Sequence, residues 1–223
     1  MSPRRVRVKF CGFTHENEVQ QAVQLGADAI GLVFYPPSKR ALSVEQGLRL
    51  RKHIPAFVST VALVVNPDVD EVHQLLTQLQ PELLQFHGDE SPEFCEQFAH
   101  PYMKAFRVGG PDTDTPAKLL QHCQAYQHAK AWLFDSYSQH YGGTGVRFDT
   151  RLLEAVQRYA AEHAIPIVLA GGLTANNVAA VLAELPVFAV DVSSGIENQP
   201  GQKSFERMAA FMDAVQPLGT QRV

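Results

Sequence analysis

Cysteine is scarce: the 223-residue chain has three, Cys11, Cys95 and Cys123. An odd number with no C-x-x-C spacing makes no disulfide framework, and three thiols are too few for a structural zinc site. A reducing, cytoplasmic setting and no metal are therefore expected. Long apolar runs are missing too, and no stretch reaches the ~18 residues that a membrane span needs. Basic residues are neither abundant nor clustered. Nineteen Lys and Arg stand against 23 Asp and Glu, for a formal charge of -4, which argues against a nucleic-acid surface. The opening Met1-Ser2-Pro3-Arg4-Arg5 is basic, but an alternating strand follows it rather than an apolar segment. It does not read as a signal peptide.

What is present is a repeating alternation of short apolar runs and amphipathic segments. Residues 6–10 alternate and end on Cys11-Gly12, and a helix with Thr14 as its cap follows. Ala29-Ile30-Gly31-Leu32-Val33-Phe34 is continuous apolar, as in a strand buried on both faces. Its exit loop carries Arg40, and Ser43 caps the next helix. Further strands are expected at 59–65, 83–86, 102–107, 131–134, 165–170 and 187–191, each followed by a helical pattern (69–79, one opened by Ser91-Pro92, 117–126, one capped by Asp149, 175–185 and 204–215).

Roughly eight strand-then-helix units, about 25 residues apart, predict parallel strands with crossover helices. The count and length favour a single (β/α)8 barrel over residues 1–223. A doubly wound open sheet is the competitor. It seldom alternates so regularly, and no G-x-G-x-x-G follows the first strand.

A closed barrel brings all eight C-terminal strand ends to one mouth. Cys11, Arg40, Asn66, His87, Asp89, Arg107, Asp135, Gly171, Gly172, Asp191 and Ser193 would then ring it. Asp135 closes the apolar run Ala131-Trp132-Leu133-Phe134, and a carboxylate in that place must find a partner or a ligand. Each candidate also has a structural alternative. A strand-end cysteine serves equally as a small packed residue, Asp191 as a loop brace, and His87 as a satisfied structural histidine. Gly171-Gly172 and Ser193-Ser194-Gly195 leave backbone N–H groups open to approach at the position where such barrels hold a phosphate. A small phosphorylated ligand is expected, with no nucleic acid, no membrane and a monomeric chain.

Six stretches in this order carry a resemblance: Lys9-Phe10-Cys11-Gly12-Phe13-Thr14, Phe34-Tyr35-Pro36-Pro37-Ser38-Lys39-Arg40, Gln85-Phe86-His87-Gly88-Asp89-Glu90, Leu133-Phe134-Asp135 with Gly142-Gly143-Thr144-Gly145, Ala170-Gly171-Gly172-Leu173, and Asp191-Val192-Ser193-Ser194-Gly195-Ile196-Glu197. Together they resemble the phosphoribosylanthranilate isomerase family of tryptophan biosynthesis. Phe13 and Phe86 depart from the family's usual aliphatic residues but keep apolar character.

The resemblance implies a cofactor-free Amadori rearrangement with Asp135 as general acid and Cys11 as general base. It also implies Arg40 on the anthranilate carboxylate, backbone N–H groups of Gly172, Ser193 and Ser194 on the phosphate, and Asp191 bracing that loop. An ordinary Asp is ionised and an ordinary Cys protonated near pH 7. The two roles therefore call for an apolar setting at Asp135 and cationic or amide neighbours at Cys11. Two rivals stand beside this reading. The related sugar isomerase of histidine biosynthesis places a carboxylate where this chain has Cys11, and a catalytically silent barrel would bind a phosphorylated metabolite without turnover.

Overall fold

The computed structural model describes residues 5–136 and 149–215. The glycine-rich stretch Gly142-Gly143-Thr144-Gly145 and the tail after Pro217 lie outside them. Eight parallel strands close into a barrel in sequence order: β1 (Arg7–Cys11), β2 (Ala29–Phe34), β3 (Ser59–Val64), β4 (Leu83–Phe86), β5 (Tyr102–Val108), β6 (Ala131–Ser136), β7 (Ile167–Leu169) and β8 (Ala189–Val192). Closure is made by β1 against β8, with Lys9 opposite Asp191. Helices α1 (Glu16–Gln24), α2 (Val44–Arg51), α3 (Val69–Gln74), α4 (Pro92–Glu96), α5 (Pro116–Gln124), α6 (Glu154–Glu162), α7 (Val178–Glu184) and α8 (Phe205–Val215) alternate with the strands. Among the described residues, no helix is long and apolar enough to cross a membrane.

The two-residue period of a strand decides which layer each side chain joins. Phe10, Ile30, Leu32, Val64, Phe86, Phe106, Trp132, Phe134, Leu169 and Val190 point outward and pack with the helices in the main core. Trp132 is fully buried there, stacks on Tyr159, and donates its indole N–H to the Tyr126 carbonyl at 3.0 Å. A buried aromatic thus keeps its polar handle satisfied. Val61, Met103, Ala105, Ala131, Leu133, Val168, Ala170 and Ala189 point inward and plug the barrel. Above them lies a smaller inward group of Cys11, Val33, Leu63 and Val65. The interior is therefore packed below and open only toward the C-terminal strand ends.

Local structure departs from the sequence expectation in four places. Helix α1 is capped by His15 without a side-chain bond, because Thr14 Oγ1 donates instead to the Gly201 carbonyl at 2.6 Å. The pattern at 69–79 is not one α-helix. After Gln74 it widens into a π-helical turn, Leu75–Leu79, that ends on Gln80 in the left-handed region (φ 52°). Asp149 caps a 3-10 turn before α6 rather than α6 itself. Between β8 and α8 there is also an antiparallel hairpin, β9 (Glu197–Gln199) with β10 (Gln202–Lys203). Ser43 does cap α2, in a reciprocal capping box with Gln46.

Cys95 and Cys123 are fully buried in helices α4 and α5. Burial lifts the Cys95 thiol to about 12 and pushes Cys123 well above its ordinary value. Above a pH of about 8.5 the unfolded chain releases the Cys123 proton while the native protein keeps it, so stability falls as pH rises. Unfolding free energies from urea denaturation between about pH 8.5 and 10.5 should fall more steeply for the parent than for Cys123→Ala. The slopes should differ by up to about 1.4 kcal/mol per pH unit, and equal slopes would show that Cys123 titrates in the folded state.

Candidate active site

The strand ends carry their polar groups inward by the same parity. Cys11 shares the face of Lys9 on β1, Asp135 that of Leu133 on β6, and Asp191 that of Ala189 on β8. One cleft of about 780 Å³, open mouth included, is lined by Cys11, Arg40, His87, Asp135, Gly171, Gly172, Asp191, Ser193 and Ser194. All nine are among the residues expected at the mouth from the sequence. Tyr35, Ser38, Val33, Leu63, Val65, Ala170, Leu173 and Val192 complete its wall.

Asn66, Asp89 and Arg107 do not line the cleft. The Asn66 Oδ1 accepts from the Asp89 backbone N–H at 2.7 Å, and Arg107 pairs with Asp89 at 2.6 Å on the rim. Among the described residues, no group of three or more His, Cys, Asp and Glu could hold a metal ion.

Asp135 is nearly buried, and its Oδ1 accepts from the Ser136 backbone N–H at 2.7 Å. Its Oδ2 lies 3.4 Å from His87 Nε2. The Gln85 amide nitrogen meets His87 Nδ1 at 2.8 Å. With that nitrogen as donor, the ring hydrogen sits on Nε2 and faces Asp135. Gln85 is fully buried in the barrel interior, so a chain of three side chains runs from the plug to the mouth. The setting of Asp135 is thus polar, not the apolar one expected. Gly171 permits this approach: it has φ +83°, and a methyl group on it would meet Ser136 Oγ at 2.5 Å and Asp135 Oδ1 at 2.8 Å.

The His87 loop is fixed from behind. Glu90 accepts from the backbone N–H groups of Asn66 (2.8 Å) and Gly88, and from Lys104 Nζ at 2.7 Å. Lys104, one position off the inward parity of β5, also donates to the Gly88 carbonyl at 2.7 Å. Both side chains are 2% exposed.

Cys11 has the cationic neighbours expected, but also Val33, Leu63 and Val65 packed round it. Burial pushes its thiol up, and Asp191 adds to this; Lys9 and Lys203 pull the other way without overcoming it. Lys9 Nζ bonds both Asp191 oxygens at 2.9 Å. Burial opposes the charge on Lys9, but Asp191 and Cys11 outweigh it and hold the ammonium above its ordinary value. The Asp191 carboxylate is therefore engaged with β1, not with the loop it was expected to brace.

Arg40 is gripped from the hairpin. Its Nε and Nη2 donate to Glu197 Oε1 and Oε2 at 2.7 and 2.6 Å, a two-pronged bond that leaves Nη1 for a ligand. Lys203 Nζ joins the same carboxylate at 2.7 Å and reaches Ser193 at 3.3 Å. Burial alone would lift the Glu197 carboxyl, but its bonds from Arg40 and Lys203 hold it below its ordinary value. Asn177 braces the other loop, donating to the Gly172 carbonyl and accepting from Thr174 N, both at 2.8 Å.

Sequence reasoning missed Lys9, Gln85, Glu197 and Lys203. Lys9 and Gln85 had a signal, since each stands two residues before a candidate on an alternating strand and must share its face. Glu197 stood inside a quoted motif without a role. Lys203 had no local signal, because a two-residue strand brings it to the site.

Replacing Lys104 by Met should leave Glu90 charged and unpaired in the core. A loss of about 3–5 kcal/mol in unfolding free energy is expected, read by urea denaturation. A loss below 1 kcal/mol, by the same scale, would show that the pair does not anchor the loop.

Comparison with known proteins places this geometry. Residues 8–214 match the family model for N-(5'-phosphoribosyl)anthranilate isomerase. The N-(5'-phosphoribosyl)anthranilate isomerase of Bordetella avium is 49% identical over 214 residues, covering 96% of this chain and 97% of that protein. The crystal structure of phosphoribosyl anthranilate isomerase from Thermotoga maritima superposes with a TM-score of 0.83 at 33% identity, over 94% of this chain and 98% of that one. A further phosphoribosyl anthranilate isomerase structure, in complex with reduced 1-(o-carboxyphenylamino)-1-deoxyribulose 5-phosphate, gives 0.80 at 32% identity over the same shares.

Proposed function

Because the chain belongs to the N-(5'-phosphoribosyl)anthranilate isomerase family, we propose that Asp135 and Cys11 are the acid and base of its reaction. That reaction is the Amadori rearrangement of N-(5-phosphoribosyl)anthranilate to 1-(2-carboxyphenylamino)-1-deoxyribulose 5-phosphate, a step of tryptophan biosynthesis. The observation that carries the assignment is the single cleft in which β1 presents a thiol and β6 a carboxyl.

Asp135 gives its proton to the furanose ring oxygen, and the C1–O bond breaks to an open-chain iminium. Cys11, as thiolate, takes the proton from C2 to form an enolamine. Loss of the hydroxyl proton at C2 and gain of one at C1 then yield the aminoketose. The ring oxygen and the C2 hydrogen lie at different positions of the sugar, so two groups from separate strands suit the task. His87 holds Asp135 Oδ2 in place and lines the sugar's path.

Arg40 takes the anthranilate carboxylate through Nη1, with Glu197 fixing the plane of its guanidinium. The phosphate is held by backbone N–H groups of Gly172, Ser193 and Ser194, with Gly171 leaving room for it. Asp191 contributes through Lys9. No cofactor is required, since each step is a proton transfer. The chain is proposed to act as a monomer. A cytoplasmic location agrees with three unpaired thiols.

Turnover of freshly made phosphoribosylanthranilate, followed by loss of its fluorescence, is expected for the parent. Cys11→Ala and Asp135→Asn should each lose about 10²–10⁴-fold in kcat while still binding the reduced product analogue. Substantial activity in either variant would remove that residue from its role. Absence of turnover in the parent, with phosphorylated ligands still bound, would favour a silent binder or a different isomerase.

Arg40→Ala should mainly raise KM. A twofold or smaller change would place the carboxylate elsewhere, since a charge-assisted hydrogen bond is worth about 1.5–3 kcal/mol.

A further inference from the structure

Cys11 must act as a thiolate although its pocket is apolar and burial pushes the thiol up. We propose that Lys9, clamped by Asp191, is the positioning residue that keeps a cation against Cys11 Sγ and so makes the thiolate attainable. The inference rests on Cys11 being the base of the reaction.

Three observations carry it. Lys9 and Cys11 are two residues apart on β1, so both point into the barrel, and the register sets Asp191 of β8 directly opposite Lys9. Both Asp191 oxygens hold Nζ at 2.9 Å, and Lys9 is 4% exposed, which leaves the ammonium little freedom to turn away. Finally, Gly31 on the neighbouring strand leaves the space in which the two heads meet. A methyl there would sit 2.6 Å from Sγ and 3.0 Å from Nζ.

The clamp has a purpose beyond solvating Lys9. A free lysine on a four-carbon stem would move toward water at the mouth, whereas a lysine fixed by two bonds holds its charge where the thiolate forms. The other charged and titratable groups facing the cleft are Tyr35 and Arg40 after β2, His87 on the β4 loop, Asp135 on β6 and Lys203 on β10. Arg40 and Lys203 are committed to Glu197, and His87 to Asp135. Lys9 shares only the Asp191 carboxylate, and its pull on the thiol exceeds the opposing push of Asp191.

Lys9→Met alone would strand Asp191 in the interior, so the test uses Lys9→Met/Asp191→Asn, which removes both charges together, beside Lys9→Arg. The readout is the pH dependence of Cys11 thiolate absorbance near 240 nm, taken as a difference against the same protein carrying Cys11→Ala. The kcat/KM profile is measured in parallel. The double variant should shift the thiol midpoint upward by at least about one unit and cut kcat/KM about 10-fold at neutral pH. The deficit should close as pH rises through the shifted midpoint, and Lys9→Arg should restore most of it. A purely structural role would lower activity equally at all pH values and leave the midpoint in place, which would overturn the proposal. The thiol titration needs no turnover. A shifted midpoint with an unchanged pH–rate profile would therefore sustain the pairing of Lys9 with Cys11 while removing Cys11 as the base.

Discussion

A charge placed on the inner face of a closed parallel barrel has almost no water to solvate it, and the pairing of Lys9 with Asp191 across the β1–β8 seam is how this molecule meets that constraint. The cost of burying either ion alone is several kcal/mol. Two mutual hydrogen bonds at 2.9 Å offset it, and they do so where the first and last strands meet. The pair therefore joins closure of the barrel to the chemistry above it. An apolar pair of similar volume would close the seam as well or better on stability alone. What sits next to them is the Cys11 thiol at the end of the same strand, the group that the proposed pairing serves.

The same logic recurs one shell further out. Glu90 with Lys104 stands behind the His87 loop, and Glu197 with Arg40 and Lys203 stands behind the β8 loop. In each case a buried carboxylate also accepts backbone N–H groups: Asn66 and Gly88 for Glu90, Gly201 for Glu197. A carboxylate that collects donors from several segments fixes a loop in a way that apolar packing would not, because its geometry is directional. The mobile part of an enzyme mouth is its loops, and here two of them are tied to cores of charge.

The barrel was legible from sequence because its signal is local and repeated. Runs such as Ala29-Ile30-Gly31-Leu32-Val33-Phe34 need only their own composition to read as strands buried on both faces, and their order then forces the topology. The nine candidate residues in the cleft were legible for the same reason, since each lies at the end of a strand or in the loop after it. Apart from Gln85, two residues from His87, what escaped notice depends on partners distant in sequence. Lys9 meets Asp191 across 182 positions, and Arg40 meets Glu197 across 157. The β9–β10 hairpin carries no apolar alternation, so nothing local predicts that Lys203 returns to the mouth. Thr14 shows the converse: it has the composition of a helix cap, but the Gly201 carbonyl from that hairpin claims its hydroxyl.

The sum of these pairings bears on what the cleft can receive. Leaving aside Cys11 and Asp135, the buried ions around it are the cations Lys9, Arg40 and Lys203 and the anions Asp191 and Glu197. Lys9 and Asp191 balance each other, so one positive charge is left over on the Arg40–Glu197–Lys203 side. That side holds the open guanidinium nitrogen and lies against Ser193. On the proposed reading, a substrate bearing a carboxylate and a phosphate would bring its anionic groups to that side. The sugar between them would lie over Cys11 and Asp135, where the balanced Lys9–Asp191 pair is the fixed charge beside the thiol. The asymmetry of the ion pairs would then orient such a ligand before any hydrogen bond forms.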